Sequence, residues 1–225
     1  MSNTPELLSP AGSPECAYAA FRYGADAIYC GLRKFSARAE AVNFSLEELR
    51  EVCAYAHGLK RPRRVFVALN TLMPNDALPD VAEQLAAIAD AGADAVIIQD
   101  AGVARLARDI APSLERHAST QMAIHNLEGA RQAIRMGFHQ VTLARELTLK
   151  ELQVIAAEGI RIEAFIHGAL CTSYSGLCLL SALRYGRSGN RGQCAYPCRE
   201  AYKGIFSLTE AQRHGDTEEE LGIRN

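Results

Sequence analysis

Four of the seven cysteines in this 225-residue chain lie in one short segment, "HGALCTSYSGLCLLSALRYGRSGNRGQCAYPC". These thiols are Cys171, Cys178, Cys194 and Cys198. Clustered thiols can form disulfides, bind a soft metal ion or an iron–sulfur cluster, or supply one nucleophilic cysteine. Zinc ribbons pair their cysteines as two closely spaced knuckles, and here only Cys194 and Cys198 are closely spaced. The irregular spacing favours an iron–sulfur cluster, with zinc as the alternative.

Composition narrows these three possibilities. The first 15 residues lack the charged and apolar regions of a signal peptide, and no apolar run is long enough to span a membrane. We therefore expect a cytoplasmic, reducing compartment, in which clustered thiols bind metals or do chemistry more often than they form disulfides. The net charge of -2 gives no general attraction to nucleic acid, although a local basic patch remains compatible with it.

The elements that position the cysteine segment follow a regular alternation. Short β-branched runs, separated by Ala- and Leu-rich helical patterns, predict seven strands, and most of the runs are as uniformly apolar as parallel strands covered on both faces. Ser45 and Glu48 form a capping box, and evenly spaced glycines at 24, 58 and 92 predict left-handed helix ends in a repeating βα unit. The predicted strands are residues 6–10, 27–31, 64–70, 95–100, 116–120, 141–145 and 162–168.

Repeated βα units form either a (β/α) barrel or an open doubly wound sheet. Polar residues end nearly every predicted strand, which favours a TIM-barrel-like α/β fold, and no GxGxxG follows the first strand. Only seven strands are predicted, so the last unit of an eight-stranded barrel is missing. We expect a barrel-like domain over residues 1–168, a cysteine-rich iron–sulfur segment over 169–203 and a divergent polar tail over 204–225.

The polar residues at the carboxyl ends of the strands are the candidate site residues. Arginine there suits a carboxylate or phosphate, and arginines interleaved with tyrosines suit single-stranded RNA. The alternative is that these side chains only satisfy loop backbone or form a solvated basic loop. The candidate catalytic residues are Asp100, Arg145 and His167, and the candidate substrate-binding residues are His117, Gln121, Glu146, Arg187 and Arg191.

The stretch "EAFIHGALCTSYSGLCLLS", from Glu163 to Ser181, resembles the signature of the collagenase-like peptidase family, the thirty-second family of peptidases of unknown catalytic type. That signature runs Glu, any, Phe, two any, Gly, Ser or Ala, aliphatic, Cys, four any, Gly, any, Cys, any, aliphatic, Ser, and every specified position is met. The segments "ELLSPAG", "DAVIIQDAGVARL", "HASTQM", "LARELTLKEL" and "GRSGNRGQCAYPCR" are also similar to family segments and occur in family order. The resemblance covers about residues 5 to 203.

The resemblance implies a barrel-like domain and a 4Fe–4S cluster held by Cys171, Cys178 and Cys194, with Cys198 as the nearby candidate for the fourth ligand. It also implies hydroxylation of a base in ribosomal or transfer RNA without molecular oxygen and with prephenate as the small-molecule donor. One alternative is a peptidase acting on unfolded or collagen-like chains, with Cys171 and His167 as a conceivable pair. The other is an inactive, shortened family member.

Overall fold

A computed structural model describes residues 4–36, 43–168 and 171–202. The described part contains one sheet of seven strands in the order of the sequence, and each neighbouring pair is parallel. The expected seven-stranded, TIM-barrel-like α/β fold is confirmed, and the polar tail over 204–225 lies outside the described residues. The strands are β1 Leu8–Pro10, β2 Ala27–Gly31, β3 Arg64–Leu69, β4 Ala95–Ile98, β5 Glu115–Ala118, β6 Gln140–Thr142 and β7 Ile162–Glu163.

A helix follows each of the first six strands, and a seventh helix lies in the cysteine segment. None of the helices in the described ranges is long and apolar enough to cross a membrane. The helices are α1 Pro14–Arg22, α2 Leu46–Gly58, α3 Leu78–Asp90, α4 Ala101–Ile110, α5 Leu127–Arg135, α6 Leu149–Ala157 and α7 Leu180–Tyr185.

Two layers of side chains enclose the sheet. The outer face packs against the helices through residues such as Val65, Val67 and Leu69. Alternate residues point to the inner face, where Phe66 and Ile97 belong to a second apolar cluster. Both faces are therefore covered, which explains why the strands read as continuous apolar runs.

Local signals position most helix ends as predicted. Ser45 and Glu48 form the expected capping box at the start of α2. Gly24 and Gly92 have φ angles of 104° and 86°, in the left-handed region that favours glycine. The same prediction was wrong at Gly58, because α2 continues through that residue and the chain leaves it through Leu59 in an extended conformation.

From β3 to β7, the strands end earlier than their apolar patterns suggest. The largest difference is at β7, which was predicted over 162–168 but pairs with β6 only at Ile162 and Glu163. As an edge strand, β7 is hydrogen-bonded to one neighbour among the described strands, so nothing on its other side extends the ladder. His167 consequently lies four residues beyond the last paired residue rather than at a strand end.

Candidate functional site

The cysteine segment packs on the carboxyl ends of the strands at two anchor points. The first is Gly176, which has a φ of 79°. A Cβ atom at this position would lie 1.8 Å from the carbonyl oxygen of Gln121, in the loop after β5. Close to it, the rings of Tyr174 and His125 meet edge to face, with centroids 6.0 Å apart. Only glycine permits this approach of two backbones.

The second anchor lies at the loops that follow β2 and β3. The backbone N–H of Leu72 donates to the carbonyl oxygen of Asn190 at 2.9 Å. A Cβ atom on Gly192 would lie 2.5 Å from the carbonyl oxygen of Ser36. The segment therefore runs from the loop after β5 to the loops after β2 and β3, over the carboxyl ends of the strands.

Arg145 and Glu146, two of the predicted site residues, meet the segment at Ser175, which is fully buried. The backbone N–H and the Nε of Arg145 donate to Ser175 Oγ at 3.3 and 3.4 Å. Ser175 in turn donates to Glu146 Oε1 from its backbone N–H at 2.9 Å and from its hydroxyl at 3.2 Å. Burial acts to raise the pKa of Glu146, but hydrogen bonds to backbone N–H groups and to Ser175 outweigh it and lower that pKa.

Arg145 also influences Cys171. The Sγ atom of Cys171 lies 3.5 Å from Ser173 Oγ. Burial acts to raise the pKa of the thiol, whereas hydrogen bonds with Ser173 and with the Arg145 side chain lower it, and the net shift is downward. A lowered pKa favours the thiolate, which is the form that binds metals and attacks electrophiles.

The four predicted ligands are all free thiols. Cys171 and Cys198 are exposed, whereas Cys178 and Cys194 are half-buried. Tyr196 donates its backbone N–H to Cys194 Sγ at 3.4 Å. No three His, Cys, Asp or Glu side chains of the described ranges lie close enough together to hold a metal ion. The donor chemistry fits a thiolate-bound cluster, but the described thiols are not gathered around one point.

The other three cysteines have different environments. Cys30 and Cys53 are buried, and burial raises the pKa of each thiol to about 12, as expected of structural residues. Cys16 lies on α1 and is exposed.

Asp100 and His167 were predicted to be catalytic, and the structure places them differently. Asp100 is the N-cap of α4, where Oδ1 accepts from Gly102 N at 2.7 Å and from Val103 N at 3.2 Å. Its Oδ2 accepts from Met73 N at 3.1 Å, so both oxygens hold backbone in place. His167 is exposed beyond β7.

Arg191, a predicted substrate-binding residue, lines a groove of about 350 Å³ beside the second anchor. Arg187, beneath it, donates from Nε to the carbonyl oxygen of Gln193 at 3.2 Å and so holds the loop in shape. The groove combines a guanidinium with polar and apolar side chains, which suits a nucleotide or a small organic acid. Its lining residues are Phe35, Ser36, Thr71, Leu72, Met73, Pro74, Ala77, Arg191 and Gln193.

Exposed tyrosines and arginines alternate next to the thiols. The guanidinium of Arg184 lies 5.4 Å from the ring centroid of Tyr185 and 4.9 Å from that of Tyr202. Arg199 lies 5.5 Å from the ring of Tyr196. These five residues form a basic–aromatic surface of the type on which unpaired bases stack.

The inner face of the sheet is polar toward β7. At the amino ends of the strands, Glu115 pairs with Arg161 through two contacts of 2.9 and 3.1 Å and approaches Arg64 at 3.7 Å. His117, which is fully buried, meets Glu115 through Nε2 at 2.9 Å. We call these four residues the charged cluster. Burial acts to raise the pKa of Glu115, but Arg161 and His117 lower it to about 2; burial lowers the pKa of His117 to about 4.

Toward the carboxyl ends, the register places Gln99, Ser119, Thr142 and Glu163 side by side on the inner face. Thr142 pairs directly with Glu163, and continuing the ladders of β4, β5 and β6 brings Gln99 and Ser119 level with them. We call these four residues the inner polar layer. Gln140 donates to Glu163 at 3.0 Å, but burial dominates and raises the pKa of Glu163.

Sequence reasoning missed Gln99, Ser175 and Glu163 as site residues. Glu163 is the first residue of the quoted signature, which was the one available signal for it. Gln99 immediately follows an apolar strand, but its neighbour Asp100 was chosen as the candidate catalytic residue. Ser175 is one of several small polar residues in its segment, and nothing in that composition distinguishes it.

Comparisons with known proteins agree with the signature. A family model described as peptidase family U32 matches residues 12–222. The chain belongs to peptidase family U32. A solved U32 peptidase structure is similar, with a TM-score of 0.59 at 17% identity over 73% of this chain and 68% of that one, which shows a shared fold.

Two curated relatives of this U32 protein act on RNA according to their names. It is 43% identical over 198 residues to the 23S rRNA 5-hydroxycytidine synthase of Escherichia coli (strain K12), covering 88% of this chain and 29% of that protein. It is 40% identical over 204 residues to the tRNA hydroxylation protein P of Helicobacter pylori (strain ATCC 700392 / 26695), covering 89% and 48% respectively. The chain thus spans less than half the length of these relatives.

Proposed function

We propose that this U32 protein takes part in the hydroxylation of a base in ribosomal or transfer RNA, in the cytoplasm, as an iron–sulfur protein. The observation that carries the proposal is the 43% identity to the rRNA 5-hydroxycytidine synthase over 88% of the chain. In this proposal Cys171, Cys178 and Cys194 bind the cluster, with Cys198 as the fourth ligand, and prephenate is the small-molecule donor.

The position of the thiols supports a cluster at this site. In a barrel, chemistry takes place at the carboxyl ends of the strands, and both anchors hold the cysteine segment there. Thiolates are the ligands that iron–sulfur clusters use, and the Arg145 side chain favours the thiolate form of Cys171. When bound, a cluster would supply one-electron redox chemistry.

The surroundings of the thiols support RNA as the substrate. The basic–aromatic surface offers rings for stacking, and guanidinium groups that attract phosphates, on the same segment as the thiols. Arg191 places a further cation in the neighbouring groove, where a phosphate or the carboxylates of a small acid would be attracted.

The decisive experiment is anaerobic purification with iron and sulfide analysis, combined with mass mapping of RNA from a deletion strain. We expect about four irons per chain, loss of one RNA hydroxylation in the deletion strain, and recovery with the wild-type gene. Cys171→Ser and Cys194→Ser should abolish iron binding and recovery. Cys16→Ser, which changes an exposed thiol on α1 outside the cysteine segment, is the matched control and should behave as wild type.

A colourless, iron-free protein that resists reconstitution would refute the cluster. An unchanged RNA modification profile in the deletion strain would refute the RNA activity independently of the metal analysis. Equal iron content in the Cys171→Ser and Cys16→Ser proteins would remove Cys171 from the ligand set.

Peptidase activity is the second candidate, favoured by the lowered pKa of Cys171 beside the Arg145 side chain. A cysteine peptidase also needs a base within hydrogen-bond reach of the thiol. In the described part, Cys171 Sγ has polar contacts with the Ser173 hydroxyl and the Arg145 side chain, and neither is an imidazole. Gelatin cleavage that disappears in Cys171→Ser and persists in Cys16→Ser would support this candidate. No cleavage by the wild-type protein would exclude it for that substrate.

A further inference from the structure

The inner face of the sheet and the loop after β5 contain buried polar atoms that have no hydrogen-bond partner among the described residues. Among them are two amide acceptors, Gln99 Oε1 and Gln121 Oε1, and one ring nitrogen, His117 Nδ1. Gln99 is 8% exposed and His117 is 0% exposed. A buried polar atom without a partner costs about 1–3 kcal/mol, so such atoms are rare unless they bind something.

Gln99 contacts the backbone of Gln121 and directly follows β4, the strand next to that of His117. Gln99 donates from Nε2 to the carbonyl oxygen of Gln121 at 3.4 Å, which assigns its Oε1 to the opposite side of the amide. His117 lies one layer below Gln99 on the neighbouring strand, because Ile97 is its partner in the ladder. Strand geometry then separates the Cα atoms of Gln99 and His117 by about 8 Å, a distance that their side chains can bridge toward one ligand group.

The ring of His117 is held in one protonation state and one tautomer. Burial keeps the imidazole neutral at physiological pH, since the pKa of His117 is lowered to about 4. Glu115 is ionised at the same pH and can only accept, so His117 Nε2 carries the hydrogen at the 2.9 Å contact. His117 Nδ1 is therefore a bare acceptor.

We propose that Gln99, Gln121 and His117 form the floor of a pocket that binds a nucleobase through the N–H groups of an exocyclic amine. This inference rests on the proposed function and adds the residues that recognise the base. An amine of the cytosine type offers two N–H donors on one nitrogen, whereas the corresponding atom of uracil is an acceptor. The two N–H groups of that amine can be shared among the three acceptors, a polar contact that the keto oxygen of uracil cannot make.

The charge and size of the surrounding residues agree with such a ligand. Glu163 lies in the same layer as Gln99. A carboxyl group beside several hydrogen-bond acceptors disfavours the binding of carboxylate and phosphate groups at this depth. An anionic small molecule would bind more favourably beside Arg191, in the groove at the second anchor. One layer below Gln99 on the neighbouring strand, the inward-facing residue is the small Ala68, at 7% exposure.

The test uses the anaerobically purified protein, with its iron content measured on the same sample. Binding of three nucleosides at millimolar concentration is followed by saturation-transfer NMR: cytidine, its analogue with both amino hydrogens replaced by methyl groups, and uridine. We expect the cytidine signal to exceed the other two by at least about fivefold. Gln99→Met, which keeps the size of the side chain, should reduce the cytidine signal about fivefold and leave the melting temperature unchanged or higher.

Gln132→Met is the matched control, because Gln132 is exposed on α5 and far from the pocket; it should bind cytidine as wild type does. Gln121→Met is the second variant and should also lose cytidine binding, which keeps the test valid if Gln99→Met does not fold. Equal binding of the three nucleosides, or cytidine binding that both pocket variants retain, would overturn the proposal. Iron-free protein that binds cytidine selectively would support the pocket while refuting the cluster.

Discussion

The two ends of the inner face of the sheet differ in how completely their polar groups are paired. In the charged cluster at the amino ends, Glu115 is shared by Arg161, Arg64 and His117. At the carboxyl ends, two amide oxygens have no partner among the described residues: that of Gln99, in the inner polar layer, and that of Gln121, in the loop after β5. The same strands thus supply a carboxylate with several partners at one end and an amide oxygen without a described partner at the other.

This difference separates stability from function along the strands. Paired charges stabilise the folded state, and in barrels the amino ends usually have that role. Unpaired acceptors at the carboxyl ends destabilise the folded state and are retained where a ligand completes them. Substitutions at the amino ends should therefore destabilise the protein, and substitutions of similar size at the carboxyl ends should not.

The largest expected effect is at the charged cluster. Glu115→Gln leaves the guanidinium group of Arg161 without its carboxylate, and Arg64 keeps only its ion pair with Glu6. We expect a loss of about 2 kcal/mol in the free energy of unfolding, between the values typical of surface and buried pairs. Urea denaturation at pH 7 measures it.

Glu128→Gln is the control for that measurement, because it removes an exposed carboxylate that pairs with Arg131 on α5. No measurable change is expected from it. Equal midpoints for the two variants would show that the charged cluster is not a stabilising element, and the contrast between the two ends would fail.

The second effect is a dependence of stability on pH that comes from His117. Its pKa is about 4 in the folded state, below the ordinary value of 6.5, so the unfolded chain binds the extra proton first. The stabilisation is complete above pH 6.5 and is lost as the pH falls toward 4. His117→Gln should flatten the melting temperature between pH 7 and 4.5, whereas His125→Gln at the rim should leave the slope as in wild type. A slope unchanged in His117→Gln would place the titrating group elsewhere.

Glu163 in the inner polar layer should give an effect of the opposite sign. Its raised pKa means that the folded state keeps the proton to higher pH than the unfolded chain does. Its contribution to stability is therefore full below about pH 4.5 and is lost as the pH rises through the folded pKa. Glu163→Gln keeps a neutral group there and should stabilise the protein by about 1 kcal/mol at pH 8, with no gain at pH 4.

Urea denaturation at the two pH values tests the Glu163 prediction, with the exposed Glu83→Gln on α3 as its control. A loss of stability in Glu163→Gln at pH 8 would mean that Glu163 acts as a structural ion. Glu163 would then stabilise the fold as the charged cluster does, and the proposed contrast between the two ends of the strands would be wrong.

The sequence was sufficient for the strand count and for the rim positions of Arg145 and Glu146. It was insufficient for the inner polar layer, and the reason is physical. Strands covered on both faces show no alternation of polar and apolar residues, so the pattern does not reveal which face Gln99 or Glu163 occupies. The path of the cysteine segment was equally hidden, because it depends on contacts such as Gly176 with Gln121, which are distant in sequence.

The smallest expected effect on global stability comes from Gly176→Ala, although its local effect is large. The new Cβ atom would lie 1.8 Å from the Gln121 carbonyl oxygen, so the segment must move away at its first anchor. Gly186→Ala is a matched control, because Gly186 also has a positive φ, 67°, but nothing lies within 4 Å of the added atom. Both variants carry the strain of alanine in the left-handed region, roughly 1 kcal/mol, and Gly176→Ala alone carries the clash.

Hydrogen exchange separates the two glycine variants. Peptides covering residues 171–179 should exchange faster in Gly176→Ala than in Gly186→Ala, while peptides from β3 and β4 remain protected in both. This follows because the core between the sheet and the helices does not include the cysteine segment. Faster exchange in β3 and β4 of Gly176→Ala would show that the cysteine segment supports the barrel. Stability would then be built at both ends of the strands, and the division between a stabilising end and a ligand-binding end would no longer hold.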